Sequence, residues 1–100
     1  MKPFTIHVEA EAELREALEH YERQRAGLGA ELREEVEAAL VRVRQNPRLY
    51  ATEVDAGVRY CPVHRFPYTL VYLDLEDHIW VAAVAHQHRR PRYWARRSPL

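Results

Sequence analysis

A chain of 100 residues, 47% of them apolar, can enclose one hydrophobic core and not two, so a single domain over residues 1–100 is expected. Fifteen Lys and Arg balance fifteen Asp and Glu, and a net charge of zero argues against a generic nucleic-acid coat protein, whose affinity rests on a large basic excess. Cys61 is the only cysteine, which excludes an intramolecular disulfide and a stapled secreted scaffold and fits a reducing cytoplasm.

The start, MKPFTIHVEAEAEL, lacks the apolar stretch of an export signal. Phe4, Ile6 and Val8 alternate with Thr5 and His7, the period of a strand with one buried face. From Ala10 to Ala26 the spacing becomes helical, with Leu14, Ala17, Leu18 and Tyr21 on one stripe. Gly27 and Gly29 break the pattern. A second stripe, Leu32, Val36, Ala39, Leu40 and Val43, runs to Asn46-Pro47, where proline cannot continue a helix. The two helices are expected to form an antiparallel hairpin, and pairs such as Glu11 with Arg15 and Glu19 with Arg23 are read as surface charge.

After a loop from Arg48 to Gly57, three β-prone segments follow: Val58 to about Arg65, Tyr68 to Asp74, and His78 to His86. The short polar connection Leu75-Glu76-Asp77 predicts an antiparallel pair, because a parallel crossover needs a dozen or more residues. YTLVYL, apolar almost throughout, predicts a central strand. The longest apolar run, Ile79 to Ala85, is far below the roughly 18 residues of a membrane-spanning helix. Pro91 suits the first position of a short C-terminal helix reaching Arg97. The expected fold class is therefore α+β, in the order β-α-α-β-β-β with that short helix.

Nearly all glutamates lie between residues 9 and 37, whereas residues 86 to 97 hold five arginines, two histidines and no acid. Arg89, Arg90, Arg92, Arg96 and Arg97 interleave with Tyr93 and Trp94, a mixture of cations for phosphate and rings for base stacking that suits single-stranded RNA. The alternative is that Tyr93 and Trp94 pack the tail onto the sheet, and Trp94 is expected in the core. His86 ends an apolar strand, where an imidazole can serve as general acid or base or can simply be structural. Arg59 and Arg65 lie an even number of positions apart and share a face if their strand is regular. They then clamp phosphate, or they pair with acids such as Glu53 and Asp55. His86 and His88 have no third ligand beside them, so no zinc site is expected, and no cofactor motif is present. Cys61, mid-strand, reads as a small buried hydrophobe.

RFPYTLVY followed by IWVAAVAHQHRRPRYW resembles the strand pair and C-terminus of the RelE/ParE-type toxins of bacterial type II toxin-antitoxin systems (the plasmid stabilisation family). HYERQRAGLGAELREEVEAALVRVRQNP is similar to that family's helical hairpin with its Gly-Leu-Gly turn and closing Asn-Pro, and VRYCPVHRFPY to its next strand, so the resemblance runs from Phe4 to Trp94. It implies a small antiparallel sheet packed on a helical hairpin. RelE-like members cut mRNA on the ribosome, where a 2′-hydroxyl attacks the adjacent phosphate and the site needs a base, an acid and cations for the developing charge. Carried onto this chain, the resemblance implies that Arg65 and Arg89 stabilise phosphate, His86 exchanges protons and Tyr93 is a second acid, with Arg59, Arg90 and Arg92 binding RNA. RelE has a lysine-rich surface and here Lys2 is the only lysine, so histidine-using relatives are the better template. ParE-like members instead poison DNA gyrase by binding, without nuclease chemistry, and a third possibility is a low-potency toxin acting mainly through its antitoxin. The arginine and histidine set favours a metal-independent mRNA endonuclease, with gyrase binding as the alternative. Either branch implies a cytoplasmic protein with a cognate antitoxin that covers or distorts the site, as a homodimer or a heterotetramer with that antitoxin.

Overall fold

The computed structural model describes residues 1–52 and 57–99. Its elements are β1 (Phe4–Ile6), α1 (Val8–Gln24), α2 (Leu28–Gln45), β2 (Arg59–Pro62), β3 (Tyr68–Asp74) and β4 (Ile79–His86), the expected order. Glu53 and Asp55 lie outside the described residues.

The first strand is shorter than its alternation suggests. His7 donates its backbone N–H to the Val81 carbonyl at 2.9 Å, and its ring nitrogen Nδ1 then accepts from the Glu9 N–H at 3.1 Å, which caps α1. Val8 therefore opens the helix and is 73% exposed. Glycine placement sets the hairpin. Gly27 adopts φ +90°, which a side chain would resist, and Gly29 sits inside the first turn of α2 rather than in the loop. A Cβ on Gly29 would lie 2.8 Å from the Leu18 carbonyl oxygen, so the two helices cross as closely as they do only with glycine there. The Glu22 carboxylate accepts from the N–H groups of Gly27 and Gly29, placing negative charge at the N-terminus of α2.

The sheet order is β1-β4-β3-β2. β4–β3 and β3–β2 are antiparallel as expected, but β1 runs parallel to β4, so the sheet is mixed. One face packs on the helical hairpin through Ala17, Leu32, Val36, Ala39 and Val43, with Cys61, Leu70 and Tyr72 from the strands. Tyr72 is fully buried, and its hydroxyl donates to the Pro47 carbonyl at 2.7 Å, tying the exit of α2 to the central strand.

The opposite face is covered by the tail. Trp94 packs against Val58, Val71, Trp80, Ala82 and Ala83, which explains why β4 is buried on both sides and reads as an unbroken apolar run. β4 also carries an irregularity: Tyr72 pairs with Val81 and Val71 with Ala83, so Ala82 has no partner on β3. Ala82 and Ala83 consequently face the same way, under the tail, while Val81 and Val84 face the helices. Residues 91–96 do not form the expected short helix. They make successive turns, Tyr93, Ala95 and Arg97 donating to the carbonyls of Arg90, Arg92 and Trp94, and Arg92 at φ +58° cannot belong to a right-handed helix. No helix among the described residues is long and apolar enough to cross a membrane.

Candidate functional site at the end of the fourth strand

β4 ends at His86, and the chain turns at once into the arginine-rich tail. Gln87 donates to the Pro67 carbonyl at 3.0 Å and Arg89 to the His86 carbonyl at 3.0 Å, which folds the tail back across the sheet. A pocket of about 580 Å³ results, floored by Tyr60, Val71, Ala85 and Trp94 and rimmed by His86, Arg89, Arg90 and Arg92. On the other side of His86 and Arg89 lies a smaller cleft of about 300 Å³ that includes Glu13, Glu16 and His20. His86 and Arg89 thus form a ridge between a basic, aromatic cleft and an acidic one.

The His86 ring is held from several sides. Its Nδ1 accepts the His88 backbone N–H at 3.0 Å, the Tyr68 ring meets it edge-on at 5.1 Å, and the His88 ring stands 4.9 Å away. Burial, then the charges of His88 and His20, lower its pKa below the ordinary 6.5. Neutral imidazole is therefore the form present at neutral pH, and with Nδ1 engaged as acceptor its proton sits on Nε2. The remaining ring position is a donor.

Tyr93 is a platform. The Arg89 guanidinium lies 3.9 Å from its ring centre and the Arg97 guanidinium 5.2 Å away. Its hydroxyl is buried without a well-aligned hydrogen bond, and burial, then the adjacent Glu13 carboxylate, push its pKa well above that of an ordinary tyrosine. Such a group keeps its proton and is hard for a ligand to reach.

Two expected members stand elsewhere. The strand ends at Pro62, and Arg65 has φ +70°, so the regular alternation that would align Arg59 with Arg65 does not hold. Arg65 bonds Glu31 at 2.7 Å and pairs with Glu35 at 3.7 Å, both on α2. Arg59 donates to the carbonyls of Arg48 and Tyr50 at 3.2 and 2.8 Å and so fastens the loop after α2. Trp94 is in the core as expected, 5% exposed, and Cys61 is fully buried, with burial raising its thiol pKa. Among the described residues no three His, Cys, Asp or Glu side chains are placed to hold a metal ion.

The sequence reading missed Glu13. Its carboxylate accepts from the Val84 N–H at 3.1 Å and from both terminal nitrogens of Arg97 at 3.1 and 2.9 Å, and Arg89 approaches to 3.9 Å. The available signal was its position between Ala10 and Ala17, both buried: a charged residue on the inward stripe of α1 needs a partner.

A two-helix hairpin on a four-stranded mixed sheet is consistent with the fold of the RelE/ParE-type toxins. Within that class the chain belongs to the ParE toxin family: the model described as ParE toxin of type II toxin-antitoxin system, parDE, matches residues 4–91. Among solved structures it is similar to one titled as the chromosomal ParDE TA system from P. aeruginosa, with a TM-score of 0.74 and 16% identity over 86% of this chain and 96% of that one. No curated protein matches the chain.

Proposed function

We propose that this chain is a cytoplasmic toxin that arrests growth by binding DNA gyrase through the tail after β4, and that a cognate antitoxin silences it by covering that tail. Family membership supports that branch. The single observation that carries the choice of binding over cutting is the state of the two proton-transfer candidates. His86 has its Nδ1 engaged by the His88 N–H and its proton on Nε2, and the Tyr93 hydroxyl is buried, so no free base faces the basic pocket and the second acid candidate is out of reach. What the pocket does offer is an apolar, aromatic floor with an arginine rim, features enriched where proteins bind proteins.

Metal-independent mRNA cleavage on the ribosome is the second reading. It is favoured by one observation, the placement of His86, Arg89, Arg90 and Arg92 around the same pocket, where cations could stabilise a phosphorane while Arg59 and Arg65 stand apart. Purified toxin incubated with gyrase and supercoiled plasmid, beside toxin incubated with translating ribosomes, separates the two. Gyrase-dependent linear DNA with intact mRNA is the expected result. Cleaved ribosome-bound mRNA with unaffected gyrase would overturn it.

A further inference from the structure

We propose that Glu13 is the positioning residue of the toxin's tail, acting through Arg97 at the irregular point of β4. β1 accompanies β4 only from Ile79 to Val81, after which the chain leaves the sheet to begin α1. Beyond Val81 the outer edge of β4 has no strand beside it among the described residues, and the unpaired Ala82 shifts which backbone groups point outward. Two of those groups are taken up by side chains. Arg97 donates to the Ala82 carbonyl at 2.9 Å, and Glu13 accepts from the Val84 N–H at 3.1 Å. The same Arg97 and Glu13 join through two hydrogen bonds, and Arg97 Nε lies 3.2 Å from Glu9.

The pair is sheltered, with side-chain exposures of 10% for Arg97 and 13% for Glu13. Burial opposes the charge on Arg97, and the Glu13 carboxylate, with Tyr93 and Glu9, more than offsets it, leaving the guanidinium firmly protonated. A planar fork held by a carboxylate and a carbonyl has one geometry, so the segment between His86 and Arg97 is pinned at both ends. Arg89, Arg90 and Arg92, which rim the pocket, lie between those two pins. Glu13 touches no ligand in this scheme; it fixes where the rim arginines stand.

The inference rests on the tail being the active surface, whatever its target, and the test uses growth arrest on induction in the absence of antitoxin, with protein level and melting temperature measured for each variant. Glu13→Ala is expected to weaken growth arrest on the order of tenfold or more, because the rim is no longer organised in advance. Glu13→Gln, which keeps an acceptor for Val84 but loses the charge opposite Arg97, should fall between Glu13→Ala and the parent. Hydrogen exchange at the Val84 amide should accelerate in Glu13→Ala. Val43→Ala, a core change in α2, is the control for lost stability and should still arrest growth. The double change Arg90→Gln with Arg92→Gln tests the tail itself. If that double variant relieves arrest while both Glu13 variants stay as toxic as the parent, the positioning role is overturned and the tail reading stands. If the double variant remains fully toxic, the tail reading falls and takes this inference with it. Equal relief by Val43→Ala and Glu13→Gln at matched melting temperatures would reduce Glu13 to a structural residue.

Discussion

His86 is the residue whose behaviour is most tightly set by its neighbours. Burial, and then His88 and His20, make its protonated form less favourable in the folded state than in the unfolded chain. The unfolded chain thus takes up a proton first as pH falls through 6.5, so stability declines from that point and the loss is complete only below the folded-state pKa. An NMR titration of the His86 ring should give a midpoint below 6.5, and His88→Ala should move it partway back, since burial is the larger cause. A midpoint at the ordinary value in the parent would remove the argument. Arg65 makes the opposite prediction. It is an exposed partner of Glu31 and Glu35, so Arg65→Ala should cost at most about 1 kcal/mol in urea unfolding and leave growth arrest intact. Loss of toxicity in a stably folded Arg65→Ala protein would restore it to the site.

Helices and strands were legible where side-chain period and burial coincide. The stripe from Leu32 to Val43 maps onto the buried face of α2, and YTLVYL onto an interior strand. The misreadings arise where the local pattern is interrupted or ends. His7 stands where serine, threonine, aspartate or asparagine is the usual cap, so the strand seemed to continue to Val8. Ala82-Ala83 carries no sequence mark of irregularity, because both residues are small enough to lie beneath the tail. Arg65 and Arg59 were placed together by strand parity, and parity stops where the strand does. The candidate site was legible as a segment, His86 to Tyr93, but the approach of its Arg89 to Glu13, more than seventy residues earlier, was not. Gly29 shows the same dependence on tertiary context. A methyl group there must displace the Leu18 carbonyl, so Gly29→Ala should destabilise the fold by about 1–3 kcal/mol despite alanine's better helix propensity. A neutral or stabilising result in a urea titration would mean that the two helices separate without cost.

At the scale of the whole molecule, the sheet is a wall between two apolar layers of unequal thickness. The helical hairpin supplies one layer, and the other is the tail's Trp94 and Tyr93 packed with Val58, Val71, Trp80, Ala82 and Ala83. Trp94→Ala should therefore cost about 3–5 kcal/mol and leave Val71 and Trp80 open to solvent, seen as a lower denaturant midpoint and increased binding of a hydrophobic dye. An unchanged midpoint would mean that the tail contributes nothing to the core. In the proposed reading the thin layer also joins function to stability, because the residues that rim the pocket belong to the segment that closes the core.

The bond between Arg97 and Glu13 spans 84 residues of sequence. Contacts of that separation close a loop of most of the chain, and their ordering cost is met only after more local pairings have formed. The hairpin of α1 with α2 and the antiparallel pairs of β2, β3 and β4 are assembled from near neighbours, whereas the clasp joins the first helix to the tail. The clasp is thus expected to form late in folding, so that, in the proposed reading, the tail takes the shape its target recognises only after the rest of the fold is in place.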